Sequence, residues 1–286
     1  MCGNINCIHG HPRKRETTMQ MRIGYELTYS CPNPTPMILA LNVHYSRASD
    51  LVQPDHIIAK PSVLIRGYRD AMGNWISRIT APQGETTIST LAIINDNGLP
   101  DPQNLYAHQH RVEDLPEETL QYLLGSRYCE TDILSSTAWG LFGNTALGWA
   151  RVQAICDYVH DHIEFGYAYS RSTKTAAEAF NEGKGVCRDY THLAVAFCRC
   201  MNIPARYCTG YLSDIDTAPP YGTMDFAAWF EAYLDGKWYI FDPRNNERRV
   251  GRVLIAQGRD AADVAISNTF GENQLKSFKV IVDEIV

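Results

Sequence analysis

From Met21 to about Gln109 apolar and polar residues alternate in short runs. "MILALNVHY", "SVLIRGYR", "NWISRITAP" and "TTISTLAIIN" carry the alternation of strands with one buried face, and "AMGN" and "PQGE" supply turns between them. The pattern predicts a β-sandwich-like domain over 21–114, a scaffold without catalytic residues of its own. From Leu115 the period changes to that of helices, in "LPEETLQYLL", "DILSSTAWGLF" and "NTALGWARVQAICDYVHDHIEF". In the last of these Ala150, Ile155, Val159 and Ile163 fall near one face. "TAAEAFNEG" contains a capping box, with Thr175 as the cap and Glu178 as its partner. Gly183 and Gly185 then break the chain, and a further helix is predicted from about Arg188 to Met201, with Leu193, Ala194, Phe197, Cys198 and Met201 at helical spacing. Pro204 ends it.

Strands follow. "ARYCTGYL" is one, and "DFAAWFEAYLDGKWYIFD" reads as a hairpin whose Asp235-Gly236 suits a type I′ turn. "FKVIVDEIV" reads as one more strand of the same half. Residues 115–286 thus form an α+β unit, preceded by the β domain and by a loose tail over 1–20 in which Met19 or Met21 is an alternative start. The chain shows no internal repeat and no low-complexity segment.

Composition narrows the function classes. The formal net charge of −6 argues against a nucleic-acid binder, which needs a basic surface to displace counterions. No apolar run approaches the ~18–20 residues that span a bilayer, and the N-terminal stretch lacks the apolar core of a secretory signal. A cytoplasmic protein is expected. Its 9 cysteines are odd in number and irregular in spacing, as for small buried hydrophobes in a reducing compartment. Cys198 and Cys200 face different ways on one helix. Cys2, Cys7, His9 and His11 are zinc-ligand types, but the segment is polar, terminal and without a second ligand cluster, so no metal is expected.

The candidate chemistry lies in "GVCRDYTHLAVAFC". Cys187 is placed to start a helix, whose free N–H groups and partial positive charge favour a thiolate. Arg188 adds positive charge, so a thiol pKa somewhat below the free value is expected. The local pattern is equally that of a small buried residue. In the hairpin, Leu234 opposite Lys237 brings Trp229 opposite Asp242 and makes Ala227 a diagonal neighbour of Asp242 on the same face. A histidine at 227 would complete a Cys–His–Asp relay oriented by Asp242; the chain has alanine there. His192, five residues past Cys187 on its helix, points well round it and reads as a buried structural histidine. Asp225 and Glu231 are carboxylates in reach of the site but poorly matched to a thiol. His44, His108, His110, His160 and His162 lie in other segments and read as structural, and Trp229 either walls the cleft or fills the core.

"GVCRDYTHLAVAFCRCMNIPARYCTGYL" followed by "DFAAWFEAYLDGKWYIFDPRNN" resembles the transglutaminase-like superfamily, in its bacterial cysteine-protease branch. "SRYCETD" and "GRVLIAQGRDAADVA" are similar to segments of the same branch, and the β part to the domain that precedes its core. The resemblance implies a papain-like core, with a Cys-bearing helix packed on an antiparallel sheet. It implies Cys187 as the nucleophile, Asp242 of "FDP" as the acid, and Arg188, Asp225, Ala227 and Trp229 as residues lining the site. The family's D-x-H-A-W reads "DFAAW" here, so Ala227 stands at the histidine position. Two functions follow as expectations. One is a cysteine hydrolase or acyltransferase acting on a peptide or protein amide through a Cys187 thioester, without cofactor or metal. The other is an inactive member that binds peptides or a partner protein.

Overall fold

The computed structural model describes residues 19–219 and 222–285. The candidate zinc residues Cys2, Cys7, His9 and His11 lie outside them. Among the described residues no group of three or more His, Cys, Asp or Glu is arranged to hold a metal ion. No described helix is long and apolar enough to cross a membrane.

The first part of the chain runs through β1 (Met19–Cys31), β2 (Thr35–Leu39), β3 (Leu51–Gln53), β4 (Ile58–Lys60), β5 (Arg66–Arg69), β6 (Trp75–Ala81) and β7 (Gly84–Asp96). Helices follow: α1 (Glu117–Leu120), α2 (Thr131–Phe142) and α3 (Trp149–His162). After the short β8 (Glu164–Phe165) come α4 (Ala176–Glu182), β9 (Lys184–Gly185) and α5 (Cys187–Cys200). The chain closes with β10 (Ala205–Leu212), β11 (Ala227–Leu234), β12 (Lys237–Phe241), β13 (Arg252–Gly258), β14 (Ser267–Thr269) and β15 (Gln274–Ile285). The "MILALNVHY" run leaves its strand at Ala40, and the "SVLIRGYR" run is extended only over β5.

The first part forms two facing sheets, β15-β1-β7-β3 with β4 also on β7, and β14-β2-β6-β5. Both contain strands from the end of the chain. β15 pairs β1 along its length, with Tyr25 opposite Val280, and β14 pairs β2. The last strand therefore completes the sandwich rather than the second half, and the boundary expected at 114/115 does not separate all of the β domain from the α+β unit. Alternation fixes which face of a strand is buried, with Val280 and Val282 inward here, but not which neighbour it takes.

The α+β unit is a four-stranded antiparallel sheet, β12-β11-β10-β13, with α5 packed on it. Phe230, Ala232, Leu234 and Ala205 share one core with Leu193, Ala194 and Phe197 of α5. Tyr207, Tyr211, Val253 and Ile255 belong to a second core, continuous with Met21, Tyr25 and Ile88 of the sandwich. Because α2, α3 and α4 also pack on α5, residues 189–200 are all buried, including Thr191, His192 and Arg199. Such a helix is central, with its polar side chains buried as well as its apolar ones. Ala150, expected on the inward face of α3, is exposed; Trp149, Val152, Ile155, Cys156 and Val159 fill that face.

The hairpin has the register its turn implies, Leu234 opposite Lys237 through Phe230 opposite Phe241. Asp235 and Gly236 both have positive φ, 49° and 76°, as a type I′ turn requires. The capping box of α4 is formed in both directions between Thr175 and Glu178.

Candidate active site

Cys187 is the first residue of α5, and its place is fixed by the residues around it. Asp189, in the first turn and fully buried, accepts a hydrogen bond from the Val186 N–H at 2.9 Å. Gly185 leaves room for that carboxylate, since a Cβ there would lie 2.7 Å from Asp189 Oδ2. The Gly-Val-Cys-Arg-Asp run is therefore a cap that holds the thiol at the helix start. Asp189 was not singled out from the sequence, although an acid two residues past a helix-starting cysteine is the signal for it.

The half-buried Cys187 opens on a cleft of ≈ 210 Å³ together with Tyr167, Asp225, Ala227, Arg244 and Asn245. Of the predicted residues, Cys187, Asp225 and Ala227 are thus brought together. Burial pushes the Cys187 thiol up to about 12, and the Asp225 and Asp242 carboxylates add to this. Hydrogen bonds from the backbone N–H groups of Ala228 and Arg188 act in the opposite direction without overcoming it. The expectation of a thiol below its free value is corrected accordingly: the helix terminus does not offset desolvation and a neighbouring anion.

Arg188 does not supply the expected charge. Its guanidinium turns to the carbonyls of Arg171 and Ser172 and to Asp189 Oδ1, and it lines a separate cavity with Tyr128 and Tyr207. Trp229 does not line the cleft. It is buried beneath the Arg252 guanidinium, 4.6 Å from its ring centroid, in space that Gly210 leaves open. Asp225 accepts a hydrogen bond from the Phe226 N–H, and burial raises its carboxyl above the usual range. Glu231 is bound to Arg206 at 2.7 Å.

Asp242 is not free to orient a ring. It is buried, and its Oδ2 accepts from Arg252 at 3.0 Å and from the Asn245 side chain at 2.9 Å, while Oδ1 accepts from the Asn245 N–H. Arg252 also bridges to Asp101 at 3.1 Å. Ala227 and Asp242 both lie beyond the last hairpin pair, Phe230 with Phe241, Asp242 just past the end of β12, and Asp242 lines a small cavity with Trp149 and Cys156 rather than the Cys187 cleft. The arginine could not be found from hairpin register, because it comes from β13 on the far side of β10.

No imidazole lines the cleft among the described residues. His192 Nε2 accepts from the Ala261 N–H at 3.1 Å, its ring stacks on Tyr128, and burial with the Arg188 and Arg199 charges holds it well below its ordinary value. His160 Nδ1 faces the carbonyls of Pro243 and Arg244, and His162 Nε2 that of Phe180. His108 meets Asp235, His110 accepts from the Gly236 N–H, and His44 is bound to Ser46.

Residues 141–243 match the family model described as the transglutaminase-like superfamily. The crystal structure described as a "Putative Cysteine Protease" from Cytophaga hutchinsonii superposes with a TM-score of 0.81 at 30% identity, covering 94% of this chain and 92% of that one. An uncharacterized protein of Mycobacterium bovis is 31% identical over 227 residues, 68% of each chain. One of Mycobacterium leprae is 36% identical over 91 residues, a match that spans only 32% of that relative. These bacterial relatives, the Cys-bearing helix on its antiparallel sheet and the flanking motifs agree: the chain belongs to the transglutaminase-like superfamily.

Proposed function

We propose that this chain binds a peptide, or an extended segment of a partner protein, in the Cys187 cleft, and that it lacks the Cys–His–Asp turnover for which its fold is suited. Superfamily membership and the likeness to the Cytophaga protein support a cysteine-hydrolase type of function. Binding without turnover is carried by one observation: Cys187, pushed up to about 12, shares its cleft with a carboxylate and with no imidazole among the described residues. A thiol so protonated is a weak nucleophile at neutral pH. Loss of one member of a nucleophile–base unit costs several orders of magnitude in rate.

A second reading, a slow hydrolase or acyltransferase, is favoured by the retained position of the sulfur at the helix start, with the Ala228 and Arg188 N–H groups beside it. In that reading the sulfur adds to an amide carbonyl, its proton passing to Asp225, and the N–H groups hold the oxyanion. The amine leaves with that proton, and water or a second amine releases the thioester. Neither reading calls on a metal or a cofactor. The free thiols at 31, 129, 156, 187, 198, 200 and 208 fit a reducing compartment, which supports a cytoplasmic location.

A fluorogenic peptide-amide library and a primary-amine acceptor, tested on the parent and on Cys187→Ser, separate the readings. Peptide binding without Cys187-dependent release is expected. Release that Cys187→Ser abolishes would establish the second reading instead.

A further inference from the structure

The arginines around the active-site core are nearly all committed. Arg188 has Asp189, Arg206 has Glu231, Arg249 has Asp214 and Glu247, and Arg252 has Asp101 and Asp242. Arg244 differs. It lines the Cys187 cleft and has no carboxylate within ion-pair distance among the described residues. Among the described residues its one side-chain hydrogen bond is a long one, 3.4 Å, to Asn245 Oδ1. Yet it is not a loose surface residue. Its guanidinium lies on the Phe165 ring, 4.0 Å from the centroid, and its carbonyl accepts from His160 at 3.1 Å. An arginine fixed at its backbone and along one face of its fork presents its remaining N–H groups at little further entropic cost.

The second uncompensated charge in the cleft is Asp225, which has no cationic partner among the described residues and acts on the Cys187 end. One free cation and one free anion in the same cleft give it a polarity. An anion is repelled from the thiol end and accepted at Arg244.

We propose that Arg244 is a specificity-determining residue: the ligand places a carboxylate on its guanidinium, with an uncharged or basic part beside Asp225 and Cys187. The inference rests on the peptide-binding reading above. The cleft of ≈ 210 Å³ falls below the ~300–1,000 Å³ usual for whole small molecules, which fits one or two residues of a longer chain. An acidic side chain and a C-terminal carboxylate offer the same chemistry, so the test separates them.

Fluorescein-labelled peptides with an alanine–serine background are measured by anisotropy against the full chain. One carries an internal Glu with an amidated C-terminus, one carries Gln in its place, and one carries Gln with a free C-terminal carboxylate. A carboxylate peptide of one or the other kind is expected to bind about tenfold tighter than the neutral one, as a charge-assisted bidentate bond implies. The preference should weaken with salt, disappear in Arg244→Gln and persist in part in Arg244→Lys, which keeps the charge but not the fork. Equal binding of all three peptides, or a preference that survives Arg244→Gln, would overturn the inference while leaving peptide binding intact. No binding of any peptide would overturn both.

Discussion

Replacing Asp242 separates two roles that one aspartate can have at this position. In a relay it would orient a histidine and its loss would be felt in turnover. Here it is one side of a buried Asp101–Arg252–Asp242 clamp, so its loss should be felt in stability. Asp242→Ala removes the 3.0 Å partner of Arg252 and the acceptor of both Asn245 donors. Breaking a buried pair by removing one partner costs about 3–5 kcal/mol. Arg252 keeps Asp101, so a value near the lower end, about 3 kcal/mol, is expected. With a urea m-value of about 3 kcal/mol/M, the unfolding midpoint should fall by about 1 M. Trp229 under Arg252 and Trp149 beside Asp242 report the transition by fluorescence. Asp242→Asn, which keeps an acceptor oxygen but not the charge, should lose about half as much. A double-mutant cycle with Arg252→Met should show coupling of at least about 1 kcal/mol. Unchanged midpoints in Asp242→Ala and Asp242→Asn would refute the clamp and return Asp242 to a catalytic assignment.

Other outcomes rest on the same contacts. Stability should be greatest between about pH 6.5 and 8.5, with the window set by the unfolded-state histidine and cysteine values. His44 is lowered to about 4 by burial and by Arg206 and Arg69, and His192 is lowered well below its ordinary value. The unfolded chain therefore binds more protons there, and stability falls as pH drops below about 6.5. Burial pushes Cys129 and Cys187 up to about 12 and Cys200 up to about 11, so the folded chain keeps protons the unfolded one loses, and stability falls as pH rises above about 8.5. Urea midpoints across pH 5–10 check both limbs, and a midpoint that keeps rising above pH 9 would contradict the alkaline one. Gly210→Ala would place a Cβ 2.1 Å from the Val253 carbonyl oxygen and 2.8 Å from the Trp229 ring, so a loss of about 3 kcal/mol is expected in thermal or urea unfolding. Ala227→His should lower the Cys187 pKa, because an imidazolium beside a thiol stabilises the thiolate. It should not bring amide release, because Asp242 stays engaged by Arg252 and Asn245; a fluorogenic assay at neutral pH checks this.

Local signals of the fold could be read wherever a short stretch carried the whole of them. The hairpin was fixed by Asp235-Gly236 and alternation, and α4 by Thr175 and Glu178. Strand β10 spans Ala205–Leu212, the whole of the run that predicted it. The features that could not be read depend on partners distant in sequence. The pairing of β15 with β1 joins the two ends of the chain, and nothing in "FKVIVDEIV" names its neighbour. At the site, Cys187, Asp225 and Ala227 could be placed together because a helix start and a strand start carry them. The occupation of Asp242 could not, since Arg252 arrives from another strand and Asp101 from the segment after β7. The direction of the thiol shift is hidden from the sequence for a related reason. Position at a helix terminus is legible in sequence, whereas the burial that outweighs it is a property of the packed cleft.

The pH dependence of Cys187 alkylation tests most directly whether the thiol lacks a base. Iodoacetamide modification is followed by mass spectrometry at the Cys187 peptide, which separates it from the buried cysteines. With the thiol pushed up to about 12, the rate should be low at pH 7 and rise with pH through pH 10 without a plateau. A thiolate already formed at pH 5, seen as a rate that no longer changes above it, would contradict the account and mean that another group has taken the place of the histidine.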